Sequence, residues 1–175
     1  HEADLALDEV LINQKEQAAL DNIKKSISAK PPIPTFFETG KRAKGIKAGT
    51  PILYTPEKPV ACRTAYGNAL LSLAKGNRSI VAITADLADS VKTNLLRDAY
   101  PHRHIECGIA EQHMVTTAGA LSLSGFVPFC STYGAFMTSR AKDQARVNDI
   151  NRTNVKMVAT HCGLSVGKDG PTHQS

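Results

Sequence analysis

Seven residues near the middle of the chain, Ser79 to Ala85, read SIVAITA, an apolar and β-branched run without a single charge. A strand with one wet face alternates polar and apolar residues, so an unbroken run of this length fits a strand covered on both faces. Phe126 to Cys130 and Val155 to Thr160 have the same character, and His104 to Glu106 suits a shorter strand. Stretches with helical spacing separate them. Arg63 to Lys75 places Tyr66, Leu70 and Leu73 on one side and ends at Gly76-Asn77. Val91 to Tyr100, the stretch from Glu111 to Gly125, and Gly134 to Asn151 complete the series. Strands alternating with helices predict an α/β fold, a parallel sheet with helices on both faces. In such sheets ligands gather at the carboxyl ends of the strands.

The N-terminal third reads differently. Residues 2–29 carry Leu7, Leu11, Ala18, Ile23 and Ile27 on roughly one stripe among charged residues, which predicts an amphipathic helix that stops at Pro31-Pro32. Lys30 to Pro59 is rich in proline and lysine with no sustained periodicity, as in an extended connector. Two parts follow: residues 1–60, a helix and linker, and residues 61–175, the α/β domain. The cluster Lys41-Arg42-Lys44-Lys47 reads as a solvated linker before it reads as an anion site. The chain opens on His1 without a secretory signal, and it stops directly after a glycine-rich loop. We therefore expect a piece of a longer protein, or one part of a split one, with a sheet incomplete at its C-terminal end.

Charge and cysteine usage narrow the partners. Lys and Arg outnumber Asp and Glu by 21 to 16, but the excess is spread out, aromatic residues are 5% and Trp is absent. That composition disfavours a base-stacking surface for nucleic acid and favours small anionic ligands such as phosphates. No apolar run is long enough to cross a bilayer, so no membrane partner is expected. Cys62, Cys107, Cys130 and Cys162 show neither C-x-x-C nor zinc spacing and read as reduced, mostly buried thiols, with no metal site in this chain. A cytoplasmic protein fits, as does an organelle matrix.

The predicted strand ends collect a small set of functional side chains. Asp86 and Ser90 follow the first strand, Glu111 the second, Tyr133 and Phe136 the third, and His161, Asp169 and His173 the last. Taken singly, an Asp after a strand is commonly a helix cap, an aromatic pair at i, i+3 is commonly core, and a loop histidine is commonly just hydrogen-bonded. Glu111 leads the spacing Met114, Val115, Ala118, Leu121, so its carboxylate starts an apolar helix face. Two readings stand. A buried acid without a cationic partner is raised in pKa and can carry a proton near neutrality, whereas an acid in the first helical turn simply complements the helix dipole.

GIAEQHM (Gly108 to Met114), PFCSTYGAF (Pro128 to Phe136) and THCGLSVGKDGPTHQ (Thr160 to Gln174) resemble the pyrimidine-binding domain of thiamine-diphosphate enzymes of the transketolase family. The resemblance covers about Ala61 to Ser175. It implies a transketolase that moves a two-carbon ketol unit between sugar phosphates with thiamine diphosphate. Glu111 then matches the glutamate that hydrogen-bonds N1′ of the aminopyrimidine, so that the ring's own 4′-nitrogen takes the C2 proton. Tyr133 and Phe136 match aromatics that pack on that ring, and Asp86 and Leu87 match the turn lining its pocket. Arg63, Ser90 and His161 match positions around the sugar phosphate, Asp169 one facing a substrate hydroxyl, and His173 the histidine near the reacting carbonyl.

Some residues depart from the pattern. Ser139 stands where many relatives have a third aromatic, Lys168 where an acid commonly precedes Asp-Gly, and Arg140 with Asp143-Gln144 resembles both deoxyxylulose-phosphate synthase and animal-type transketolases. The synthase is the enzymatic alternative, although it usually lacks a histidine at the position of His161; a non-catalytic scaffold is the other. The Gly-Asp-Gly and Asn that hold Mg2+ in the family are absent here. The resemblance therefore implies a diphosphate-binding domain or subunit that supplies Mg2+, with a homodimer in the complete enzyme.

Overall fold

The structure is a computed structural model that describes residue 14, residues 17–19, 21–22 and 25, residues 45–163 and residues 168–174. The chain divides into two compact units, His1–Phe37 and Glu38–Ser175. In the first, the described residues are helical and exposed, and Gln17 Nε2 donates to Asp21 Oδ1 one turn on, at 3.1 Å. The rest of the predicted 2–29 helix and residues 41, 42 and 44 of the basic cluster lie outside the described residues.

The second unit is built on four parallel strands: β1 (Ile80–Thr84), β2 (His104–Glu106), β3 (Val127–Tyr133) and β4 (Lys156–Thr160), in the order β2-β1-β3-β4. All five residues of β1 are buried, as the SIVAITA run requires. Alternate residues of the sheet feed two cores. Ile80, Ala82 and Val127 pack with Leu70 and Ala74 of α1 (Cys62–Gly76) and Leu96 of α3 (Asn94–Ala99), while Ile83 and Cys130 pack with Met114, Val115 and Ala118 of α4 (Glu111–Leu123). Helices thus cover both faces.

Several boundaries differ from the sequence reading. The predicted helix Val91 to Tyr100 is two pieces, α2 (Ala88–Val91) and α3, separated by Lys92 in the left-handed region. Gly134 to Asn151 is likewise α5 (Gly134–Ser139) and α6 (Lys142–Ile150), broken at Arg140-Ala141. β3 runs on to Tyr133, because Ser131 and Thr132 continue to pair with β4. On β4 itself Met157 and Ala159 are exposed, as befits an edge strand with one covered side. Among the thiols, only Cys130 is buried, where desolvation pushes it up to about 12; Cys107 is half-buried, and Cys62 and Cys162 are exposed. The expectation of mostly buried cysteines was therefore wrong, since helix starts and loop ends, not core positions, carry the other three. All four are free. Among the described residues no helix is long and apolar enough to cross a membrane.

Polar side chains fasten the periphery. Buried Arg103 donates to the carbonyls of Ala74 (2.9 Å) and Asn77 (3.1 Å), closing the C-terminus of α1. Asn77 exchanges hydrogen bonds with the backbone of Lys47, which ties the end of the connector to α1. Asn148 of α6 donates to Val115 O at 3.0 Å and lies against Gly119 so closely that a Cβ there would sit 2.0 Å from its Oδ1. Neither partner has room to give, since Asn148 is buried and its carbonyl is also held by Thr153. Gly119→Ala is expected to lower unfolding free energy by about 1–3 kcal/mol, read as a lower urea midpoint at unchanged slope. A midpoint equal to wild type would show that α4 and α6 do not meet here as described.

Candidate functional site

The strand ends open into a cleft of about 940 Å³ whose walls include Arg63 at the start of α1, Ser90 of α2, Tyr133 at the end of β3, and Thr160, His161, Lys168 and Asp169 beyond β4. Parallel pairing sets this level. Thr84 lies opposite both Glu106 and Ser131, and Tyr133 lies opposite Thr160, so the chains leaving β1, β3 and β4 emerge side by side.

A chain of polar contacts crosses the cleft. Arg63 Nη1 donates to Ser90 O (3.4 Å) and to His161 Nε2 (3.1 Å). A guanidinium has no acceptor, so Nε2 must be the bare nitrogen, and Nδ1 carries the hydrogen that Thr160 Oγ1 receives at 2.8 Å. His161 is therefore held as the neutral Nδ1–H tautomer. Its pKa lies below the ordinary histidine value, first through burial and then through the Arg63 charge and that of His173, with Asp169 opposing them. Ser90 Oγ meets Tyr133 OH at 2.7 Å, and Tyr66 OH meets Ser131 Oγ at 2.7 Å on the same wall. Burial raises Tyr66, which stays a neutral phenol.

Aromatic rings cluster around Tyr133, beside the cleft. Tyr133 and Phe136 are nearly parallel with centroids 5.7 Å apart, His161 lies 4.0 Å from Tyr133, and His173 stands edge-on to Tyr133 (5.6 Å) and Phe136 (5.0 Å). Asp86 and His161, which follow β1 and β4, both have left-handed backbones, with φ of 59° and 54°. Asp86 and Leu87 line a separate small cleft of about 250 Å³ that shares Ser90 with the large one. Glu106 Oε1 holds that corner, accepting from Asp86 N (2.6 Å) and Gly108 N (3.0 Å).

Glu111 is the first residue of α4 and is 3% exposed, as its place on the apolar face requires. It is not, however, an acid without a cationic partner. Arg140 Nη1 donates to Glu111 Oε1 at 2.7 Å, and the Arg140 guanidinium carbon lies 4.1 Å from the centroid of the Phe136 ring. The buried face of α4 ends at Ser122, with Leu121 only half-buried. Arg63, Ser90, Tyr133, Phe136, His161, Asp169 and His173 thus form one neighbourhood, and Glu111 joins it through Arg140. The sequence reading missed the Glu106 clamp and the Arg140 contact; the second had a signal, since Phe136 and Arg140 are four residues apart and adjacent on a helical turn.

An α/β parallel sheet with acid, imidazole and guanidinium groups at its carboxyl edge has the ligand-binding crevice of the open parallel-sheet class. Residues 58–175 match the family model for the transketolase pyrimidine binding domain, and the chain belongs to that family. Mouse transketolase is 41% identical over 131 residues, covering 74% of this chain and 21% of that protein; human transketolase is 42% identical over 117 residues, covering 66% and 19%. Among solved structures, transketolase from Campylobacter jejuni is 32% identical with a TM-score of 0.60, covering 66% of this chain and 18% of that one. A protein described as a split gene transketolase, inactive beta4 tetramer, is 40% identical with a TM-score of 0.57, covering 66% and 37%. The Pichia stipitis transketolase complex with sedoheptulose 7-phosphate is 25% identical with a TM-score of 0.63, covering 71% and 20%. The chain spans about a fifth of the length of the curated relatives it matches.

The depressed pKa of His161 has a pH consequence. As pH falls below about 6.5, the unfolded chain gains a proton that folded His161 does not yet accept, so folding stability decreases through that window. Imidazole ¹⁵N NMR should show His161 as the Nδ1–H tautomer titrating below the free-histidine value, and Arg63→Ala should move the titration upward. A His161 that titrates like free histidine would dismiss the contact.

Proposed function

We propose that this chain is the pyrimidine-binding part of a transketolase, which uses thiamine diphosphate to transfer a two-carbon ketol unit between sugar phosphates. The observation that carries this reading is Glu111, a buried carboxylate at the head of α4 within the same cluster as the Tyr133–Phe136 ring wall. That donor set fits an aminopyrimidine, which asks for a flat apolar surface and a carboxyl group at a ring nitrogen. When bound, thiamine diphosphate would supply an acidic thiazolium C–H and, through it, a nucleophilic carbon for carbonyl chemistry. Glu111 shares a proton with N1′ at a carboxylate oxygen; Tyr133 and Phe136 bear on the ring; Asp86 and Leu87 close the pocket's edge. In the cleft, Arg63 and Ser90 offer donors to a sugar phosphate beside His161, Asp169 receives a substrate hydroxyl, and His173 faces the reacting carbonyl.

Mg2+ and the diphosphate belong to a diphosphate-binding domain outside this chain. Among the described residues no group of three or more His, Cys, Asp or Glu side chains is placed to hold a metal ion. We assign that domain to the rest of a longer enzyme acting as a homodimer, or to a separate subunit, and expect residues 1–175 to be inactive alone. The Pichia stipitis complex with a seven-carbon sugar phosphate supports the substrate class, and the split-gene relative, described as inactive, supports the need for a partner. Four free thiols suit a reducing compartment, which we take to be the cytoplasm.

In the assembled enzyme, Glu111→Gln is expected to slow deuterium exchange at C2 of bound thiamine diphosphate by about 100-fold or more, measured by quenched-flow NMR. Exchange at the wild-type rate would remove Glu111 from proton transfer. His161→Ala should raise KM for sugar phosphates by about tenfold with kcat changed much less, and an unchanged KM in steady-state kinetics would take it out of the substrate site.

A further inference from the structure

The Glu111 carboxylate has two oxygens, and they are in different situations. Oε1 accepts the Arg140 Nη1 hydrogen bond at 2.7 Å, while Oε2 carries no hydrogen bond among the described residues. The Glu111 side chain is 4% exposed and that of Arg140 is 45% exposed, so the arginine reaches inward from the rim to a buried acid. On the way its guanidinium carbon lies over Phe136, 4.1 Å from the ring centroid. Arg140 is itself anchored, because it directly follows α5 and its backbone N–H donates to Phe136 O at 3.0 Å. Ring, guanidinium and carboxylate therefore form one stacked and hydrogen-bonded unit. A buried carboxylate without a cation is strongly destabilising, which gives Arg140 a physical reason to be there. Lysine would not serve equally, since an ammonium can pair with Oε1 but cannot stack as a plane on Phe136.

Resting on the reading of the site above, we propose that Arg140 is a positioning residue for Glu111. It fixes the carboxylate by Oε1, leaves Oε2 as the one oxygen that meets the aminopyrimidine nitrogen, and couples the acid to the Phe136 wall. A rotation that turned the whole Glu111 carboxylate away from Arg140 would break the ion pair, so the pair selects a rotamer in which one oxygen is held and the other is left for the ring. Arg140 acts through Glu111, whose carboxylate it holds, and not by its own contact with the sugar phosphate.

The test uses the full chain with its diphosphate-binding partner, loaded with thiamine diphosphate, in four forms: wild type, Arg140→Ala, Arg140→Lys and Glu111→Ala. Arg140→Ala is expected to slow C2 deuterium exchange by about 10- to 100-fold while KM for the sugar phosphate stays within about threefold. Arg140→Lys should recover part of the loss and remain several-fold below wild type, and it decides the matter if the alanine variant does not fold. A second readout needs no cofactor: ¹⁵N NMR of the chain should show slowed Cζ–Nη rotation in one arginine, lost in both Arg140→Ala and Glu111→Ala. Wild-type exchange in the folded Arg140 variants, beside a collapse in Glu111→Ala, overturns the proposal and leaves the site reading intact. Unchanged exchange in Glu111→Ala overturns both. An exchange loss matched by an equal rise in KM overturns the positioning role in favour of general damage.

Discussion

β1 is paired on both edges and buried on both faces, and this double constraint sets the position of every group at the rim. Its even residues face α1 and α3 and its odd residues face α4, so a slip by one residue would exchange the two cores. Register is thereby fixed to the residue. Thr84 is then held level with Glu106 and Ser131, and its carbonyl takes the Cys107 N–H at 2.9 Å. From that level the chain has little freedom in where Asp86, Gly108 and Tyr133 emerge. The rim is accurate because the centre of the sheet cannot shift.

Several polar groups inside this frame serve the backbone. Arg103 satisfies the last carbonyls of α1, Asn148 a carbonyl of α4, and Thr84 Oγ1 the carbonyl of Ser131. Glu111 and Arg140 differ in that their contact joins two oppositely charged side chains, one of them buried, at the opening of a helix. Burial of the acid demands the cation, and the cation in turn needs a surface, which Phe136 supplies. The electrostatic and aromatic parts of the site are therefore one construction.

The fold was readable because its signals are local. SIVAITA can be little else than a doubly covered strand, and the helices between the strands have ordinary periodicity. The breaks at Lys92 and Arg140 were not readable, because both interrupt stretches whose composition remains compatible with helix; the left-handed turn at Lys92 is set by its fit against Gly67, where a Cβ would meet Lys92 O at 2.6 Å. At the rim, strand-end position identified Ser90, Tyr133, His161 and Asp169, the family resemblance added Arg63, and the structure brings all five around one cleft. What a residue touches was harder to read. Burial of Glu111 followed from its spacing, whereas its pairing with a side chain 29 residues away followed from the turn of α5 back toward α4. The exposed cysteines show the same limit, since residue type alone suggests burial.

The left-handed residues that end β1 and β4 carry a further consequence. Asp86 and His161 hold φ values that cost a side-chain-bearing residue roughly 1–2 kcal/mol, and both types are among those that tolerate it best. Glycine would relieve the cost at either position and delete the side chain. Selection of this chain for heat resistance alone would therefore drift toward glycine at both strand ends, producing a sturdier domain with an emptier rim. The two bends record how much folding free energy the site withholds from the scaffold.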